Sequence, residues 1–226
     1  MIKQKGYATL EAAGFALIML GLFVGGVAVS TFIQSSHDVT KILDREIYDA
    51  AVVPFSFNGS GQIVTNQAEL QVFVDQVADN IELALQNLED GSLPSTRYYI
   101  EAGYADVNID PTTGNIDGVT PYNLFSAPTP FAYLVTRGTS ALISEGSYST
   151  TYFADEVQSI AQNQTYSVVT THFSAGGNQY LPRRVIVGAR VLFKSDTGFT
   201  GTFFQSLGGN SVIQDQKVVP VRGQVE

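Results

Sequence analysis

The sequence predicts an α+β protein: a long N-terminal hydrophobic helix followed by a β-rich C-terminal globular domain that carries an additional amphipathic helix. Three observations predict it. No ionisable side chain occurs between Ala12 and Ile33. Apolar residues at 70, 73, 74, 77, 81, 85 and 88 recur at helical spacing. From Tyr98 onward, runs rich in Val, Ile, Tyr and Phe are separated by Gly-, Pro- and Asn-containing turns. A chain of 226 residues is long enough to bury a sizeable core. Charged residues make up only 15% of it, against a usual value of about 25%, while Gly (21), Phe (14) and Tyr (11) are plentiful.

The apolar run is about 33 Å long as a helix at about 1.5 Å per residue, enough to cross a bilayer. It exceeds the apolar region of an ordinary secretory signal, which spans about 7–15 residues. Lys3 and Lys5 precede it, which favours a cytoplasmic N-terminus with the remainder outside. The helix is expected to continue, because Val39, Ile42, Leu43 and Ile47 keep three- and four-residue spacing until Pro54 stops it. Gly21 and Gly25 stand four apart, a spacing that lets another helix approach closely.

Residues 54–65 are expected to be a turn-rich connection. A second helix is predicted at 67–89, introduced by the capping-box pair Asn66 and Glu69 and stopped by Asp90-Gly91. Its other face carries Asp75, Asp79, Glu82 and Glu89, expected to be solvated. Strands are predicted at 97–109, 131–137, 165–174, 183–194, 200–205 and 216–222, with a loop at 111–130 and a short helix at 154–163. Val185, Val187, Ala189, Val191 and Phe193 alternate, so one face of that strand should be buried. Pro220 marks an edge strand.

A plain anchor has no use for Glu11, an acid at the head of the apolar run. Together with the residues before it, MIKQKG followed by YATLE, the segment resembles the leader of the type IV pilin family and its pseudopilin relatives: short, basic, ending in Gly, then an aromatic residue and a glutamate at the fifth mature position. The resemblance implies a leader at 1–6, a transmembrane and assembly helix at 7–53 and an extracytoplasmic domain at 54–226. It implies cleavage between Gly6 and Tyr7 by a prepilin peptidase, N-methylation of Tyr7, and a role for Glu11 in assembly with other pilin subunits. The precursor would lie in the inner or cytoplasmic membrane and the mature chain in a pilus at the cell surface. Tyr7 stands where Phe is commoner, and no proline interrupts the helix before Pro54. Tight-adherence pseudopilins carry an aromatic residue directly after the glutamate, whereas here Ala12 follows and Phe15 comes later. Major pilin, minor pilin and pseudopilin all stay open.

Other chemistry is sparse. A net charge of −9 with only 12 Lys and Arg leaves no footprint for a phosphate backbone, so no nucleic-acid partner is expected. With no cysteine and two histidines, thiolate chemistry and zinc ribbons are excluded. No nucleophile elbow and no P-loop sequence occurs, and no enzymatic activity or resident cofactor is expected. Asp106, Asn108, Asp110 and Asp117 place oxygen donors at alternating positions with an acid at the twelfth, as a Ca²⁺ loop does. Pro111 replaces the usual Gly and Asp117 the usual Glu, and a plain hairpin accounts for the same residues. The competing function is a single-pass membrane-anchored extracytoplasmic binding or enzyme domain that forms no polymer.

Overall fold

The structure, a computed structural model, describes residues 2–52, 56–57, 67–89, 91–110, 113, 115–120, 133–148, 159–160, 168–169, 179–180, 183–195, 198–207, 209–221 and 224–225. For 2–10, 52, 56–57, 67, 106–109, 116–120, 168–169, 179–180, 183–184, 199–200 and 224–225 it describes the backbone alone.

Helix α1 (Ile2–Val52) is continuous over 51 residues, about 77 Å at about 1.5 Å per residue. It begins before Tyr7 and runs through Gly6 without a break. Its end at Val52 falls just short of Pro54, before which helical backbone is disfavoured. In its second half Val39, Ile42, Leu43, Ile47, Ala50 and Ala51 are buried, so the spacing seen in the sequence is a core stripe.

Strand β1 (Ser56–Phe57) leads to helix α2 (Gln67–Asn87). Leu70, Val74, Val77, Ile81 and Leu85 are buried in the core that holds the second half of α1. Leu88 lies in the following turn and is exposed. Gly91 ends the helix at φ +78°, its N–H donating to the Gln86 carbonyl at 2.9 Å. The capping residue Asn66 lies outside the described residues.

The strands that follow are β2 (Tyr98–Ile109), β3 (Ile116–Thr120), β4 (Tyr133–Gly138), β5 (Val168–Val169), β6 (Gln179–Tyr180), β7 (Arg183–Lys194), β8 (Val212–Pro220) and β9 (Gln224–Val225). The principal sheet is antiparallel and centred on β2. On one edge β2 pairs with β7 along its length, and β7 with β8. The other edge is shared, with β4 on residues 99–104 and β3 on 106–109. Among the described residues β8 is an edge strand, which allows Pro220 at its end. Two short pairs form sheets of their own, β1 with β9 in parallel and β5 with β6 antiparallel.

Period-two alternation divides the sheet. Tyr98, Ile100, Ala102 and Tyr104 of β2 join Val185, Val187, Ala189, Val191 and Phe193 of β7 in the core beneath α1 and α2. On the opposite face Tyr99, Leu192 and Val212 pack with Leu142 of helix α3 (Ala141–Glu145).

Several expectations are corrected. Residues 200–205 are not a strand: helix α4 spans Phe199–Ser206, and the adjacent Phe203 and Phe204 both reach α1, which alternation across a strand would prevent. The expected loop at 111–130 contains β3, and α3 was unforeseen. The described residues of the strand expected at 165–174, Val168–Val169, are a strand, and those of the helix expected at 154–163, residues 159–160, are helical; the rest of both lies outside the described residues. The acidic face of α2 is open to solvent at Asp79, as expected, but its acids are also paired. Arg137 on β4 holds Asp75 at 3.3 Å and Asp79 at 2.9 Å. The Tyr133 hydroxyl donates to Asp75 at 3.1 Å, that of Tyr98 donates to Glu82, and Arg97 holds Glu89 at 2.5 Å. Because α2 lies alongside β2 and β4, the basic and phenolic residues of those strands reach its acids.

Candidate functional site

From Glu11 to Phe23 every residue of α1 is exposed. Phe15, Leu17, Ile18, Leu20, Leu22, Phe23 and Ile33 all face outward, with Leu17 70% and Phe23 71% exposed. Only 11% of the most apolar stretch is buried, and the helix is long and apolar enough to cross a membrane. An apolar surface of this extent marks an interaction site, since each large aliphatic or aromatic side chain removed from water contributes about 1.5–3 kcal/mol. Helix formation satisfies the backbone internally, as a lipid environment demands. What remains is a rod ready to be covered by acyl chains or by other helices.

Glu11 stands at the head of this rod and is exposed. The backbone at Gly6 and Tyr7 is helical, and the side chain of Tyr7 lies outside the described residues. The two glycines of the expected packing face differ. Gly21 has nothing within 4 Å of where a Cβ would stand, whereas at Gly25 that position is 3.0 Å from the tip of the Phe203 ring. The close-packing site at Gly25 is thus used within the chain by α4, and Gly21 is left open to an outside neighbour. Phe204 adds to the same contact, its ring centroid 5.0 Å from that of Phe32. Phe199, Phe203, Phe204 and Leu207 stand at helical spacing, a signal in the sequence that would have revealed α4.

The residues considered for calcium lie on the β2–β3 hairpin. Asp106 and Asn108 are paired across it with Thr120 and Gly118, and the register shifts at Asn108/Ile109, where Asp117 is the additional residue. Asp110 serves the turn: its N–H donates to the Asn115 carbonyl at 2.9 Å, and its carboxylate accepts from the Thr113 N–H at 3.3 Å. The side chains of Asp106, Asn108 and Asp117 lie outside the described ones. Among the described residues, no group of three or more His, Asp or Glu side chains is gathered as a metal site would need.

A second polar feature lies on the sheet face away from α1. Arg190 is 0% exposed; its Nη1 is 3.3 Å from Glu101, its Nη2 donates to Gln214 at 3.1 Å, and its guanidinium lies over the Tyr148 ring at 5.9 Å. Tyr99 donates its hydroxyl to Glu101 at 3.0 Å. Burial, then the Glu101 carboxylate, pushes the Tyr99 phenol far up, and burial pulls Arg190 below its ordinary value. This constellation binds β2, β7 and β8 together. Of the histidines, His37 is exposed on α1 and His172 lies outside the described residues.

No family model, no curated protein and no solved structure matches the chain.

Proposed function

We propose that the chain is a pilin-like structural subunit, made as a membrane precursor, cut between Gly6 and Tyr7 by a prepilin peptidase, and packed through the first half of α1 into a type IV pilus-like filament at the cell surface. The observation that carries the reading is the division of α1. One continuous helix is bare and apolar as far as Phe23 and, from Val39 on, is packed into the core against α2 and the antiparallel sheet, with a single acid, Glu11, at the head of the bare part. A helix bare on all sides suits lipid first and a bundle of identical helices afterwards. In that bundle the new α-amino group of Tyr7 is the cation available to a neighbouring subunit's Glu11.

Mechanical shearing of cells, followed by immunogold electron microscopy with antibody to the folded domain, tests this. Label along filaments in the sheared fraction supports the subunit. Label confined to the cell envelope, with the sheared fraction empty, supports instead a membrane-anchored domain that forms no polymer.

A further inference from the structure

The segment that carries α4 holds no ionisable residue between Asp196 and Asp215. It lies against α1, where Phe32 in turn packs on the main core. Phe203 rests on Gly25 and Phe204 on Phe32, and both positions belong to the apolar run of α1. The two rings pack edge to face at 5.7 Å and are half-buried, and Leu207, just past the helix, is 68% exposed. The chain is capped there by the Leu207 and Gly209 N–H groups, which donate to the Phe204 carbonyl at 3.1 and 2.9 Å.

The rise of α1 fixes the level at which this happens. With the hydrocarbon entered at Ala12, Gly25 lies about 20 Å in and Phe32 about 30 Å in, the far edge of a hydrocarbon core about 30 Å thick. α4 is therefore held within the outermost ten or so ångströms, the depth at which an apolar helix lies along a headgroup boundary, about 5–10 Å. We infer that α4 with Leu207 is a membrane foot: it seats the precursor's domain in the outer leaflet, with acyl chains as the occupant of its apolar surface. The inference rests on reading α1 as the membrane span. An uncharged apolar surface at that level meets lipid before any second subunit arrives, and lipid asks for no charge complementarity. A foot at this position also fixes the height of the sheet above the bilayer.

The chain has no tryptophan, so single tryptophans report depth in full-length protein reconstituted in phosphatidylcholine vesicles. The probes are Leu207→Trp, Gln205→Trp as a second exposed position on α4, Phe23→Trp in the span, and Leu83→Trp on the exposed side of α2. Lipids brominated near the headgroup end of the acyl chain should quench Leu207→Trp by about half and more than lipids brominated near the terminal methyl, with blue-shifted emission. Leu83→Trp should be unaffected. Quenching at Phe23→Trp with water-like, unquenched emission at both Leu207→Trp and Gln205→Trp overturns the foot and leaves the span. No quenching at Phe23→Trp overturns the span and the foot with it. A blue shift at Leu207→Trp that ignores bromine and grows with protein-to-lipid ratio assigns the surface to a second copy, and equal quenching at Leu83→Trp assigns contact to the whole domain. Either result also overturns the foot.

Discussion

Arg190 and Glu101 stand directly opposite each other on β7 and β2, cross-strand partners whose side chains meet at 3.3 Å on a face of the sheet where the arginine is completely buried. Such a pair gives little net stability when compared with apolar residues of the same shape, but breaking it by removing one partner is expensive.

Glu101→Ala should therefore cost about 3–5 kcal/mol, because a desolvated guanidinium loses its carboxylate. Glu101→Leu with Arg190→Met should cost less than Glu101→Ala alone. Chemical denaturation of the full chain in detergent checks this, read from the midpoint at constant slope. A double variant no more stable than Glu101→Ala contradicts it.

Gly138 ends β4 at φ +76°, and a Cβ there would stand 2.1 Å from the Tyr98 carbonyl oxygen. Gly138→Ala should destabilise by at least about 1–3 kcal/mol, from backbone strain before any clash is counted. Gly21→Ala, with open space around it, should leave the melting temperature of the isolated subunit unchanged. Circular dichroism melts of the two variants decide.

Stability should fall in alkali. Burial first, then neighbouring acids, raises Tyr98, Tyr99 and Tyr133, and the Asp44 hydrogen bond raises Lys217. Each group holds its proton more tightly folded than unfolded, so its contribution is complete below the unfolded value, about 10 for Tyr and 10.4 for Lys, and is lost as pH rises through the folded value. The melting temperature should be flat from about pH 7 to 9 and drop above about 10. The fall should be smaller in Tyr99→Phe. A Tyr99→Phe profile as steep as wild type contradicts this account.

Glu11→Gln should insert, be processed and accumulate in the membrane, yet be recovered poorly in sheared filaments. An α-amino group and a carboxylate about 4 Å apart attract by about 4 kcal/mol at an effective dielectric near 20, before desolvation. A capping role within one helix supplies at most about 1–2 kcal/mol and involves no second subunit. Wild-type filament recovery in cells making no unmutated copy removes Glu11 from the interface.

The sequence made the long-range architecture legible where one period dominated. Val39 to Ile47 and Leu70 to Leu85 at helical spacing, and Val185 to Phe193 in alternation, are the buried stripes of α1, α2 and β7. It misled where propensity and packing disagree: Thr200, Phe203 and Phe204 favour strands, but α1 offers Gly25 and Phe32 as a seat for a helix. The partners of Asp75, Asp79 and Glu82 were not legible, because the cation and hydroxyls that meet them come from later strands. Of the site, the apolar run and Glu11 were legible, and the use of Gly25 by Phe203 was not.

The most direct measurement is the intact mass and N-terminal sequence of the chain recovered from sheared filaments. The account predicts a first residue of Tyr7, N-methylated, with Met1 to Gly6 removed, and a Gly6→Leu precursor that stays uncut in the membrane. A chain that still carries Met1 to Gly6, or a Gly6→Leu variant processed normally, would contradict it.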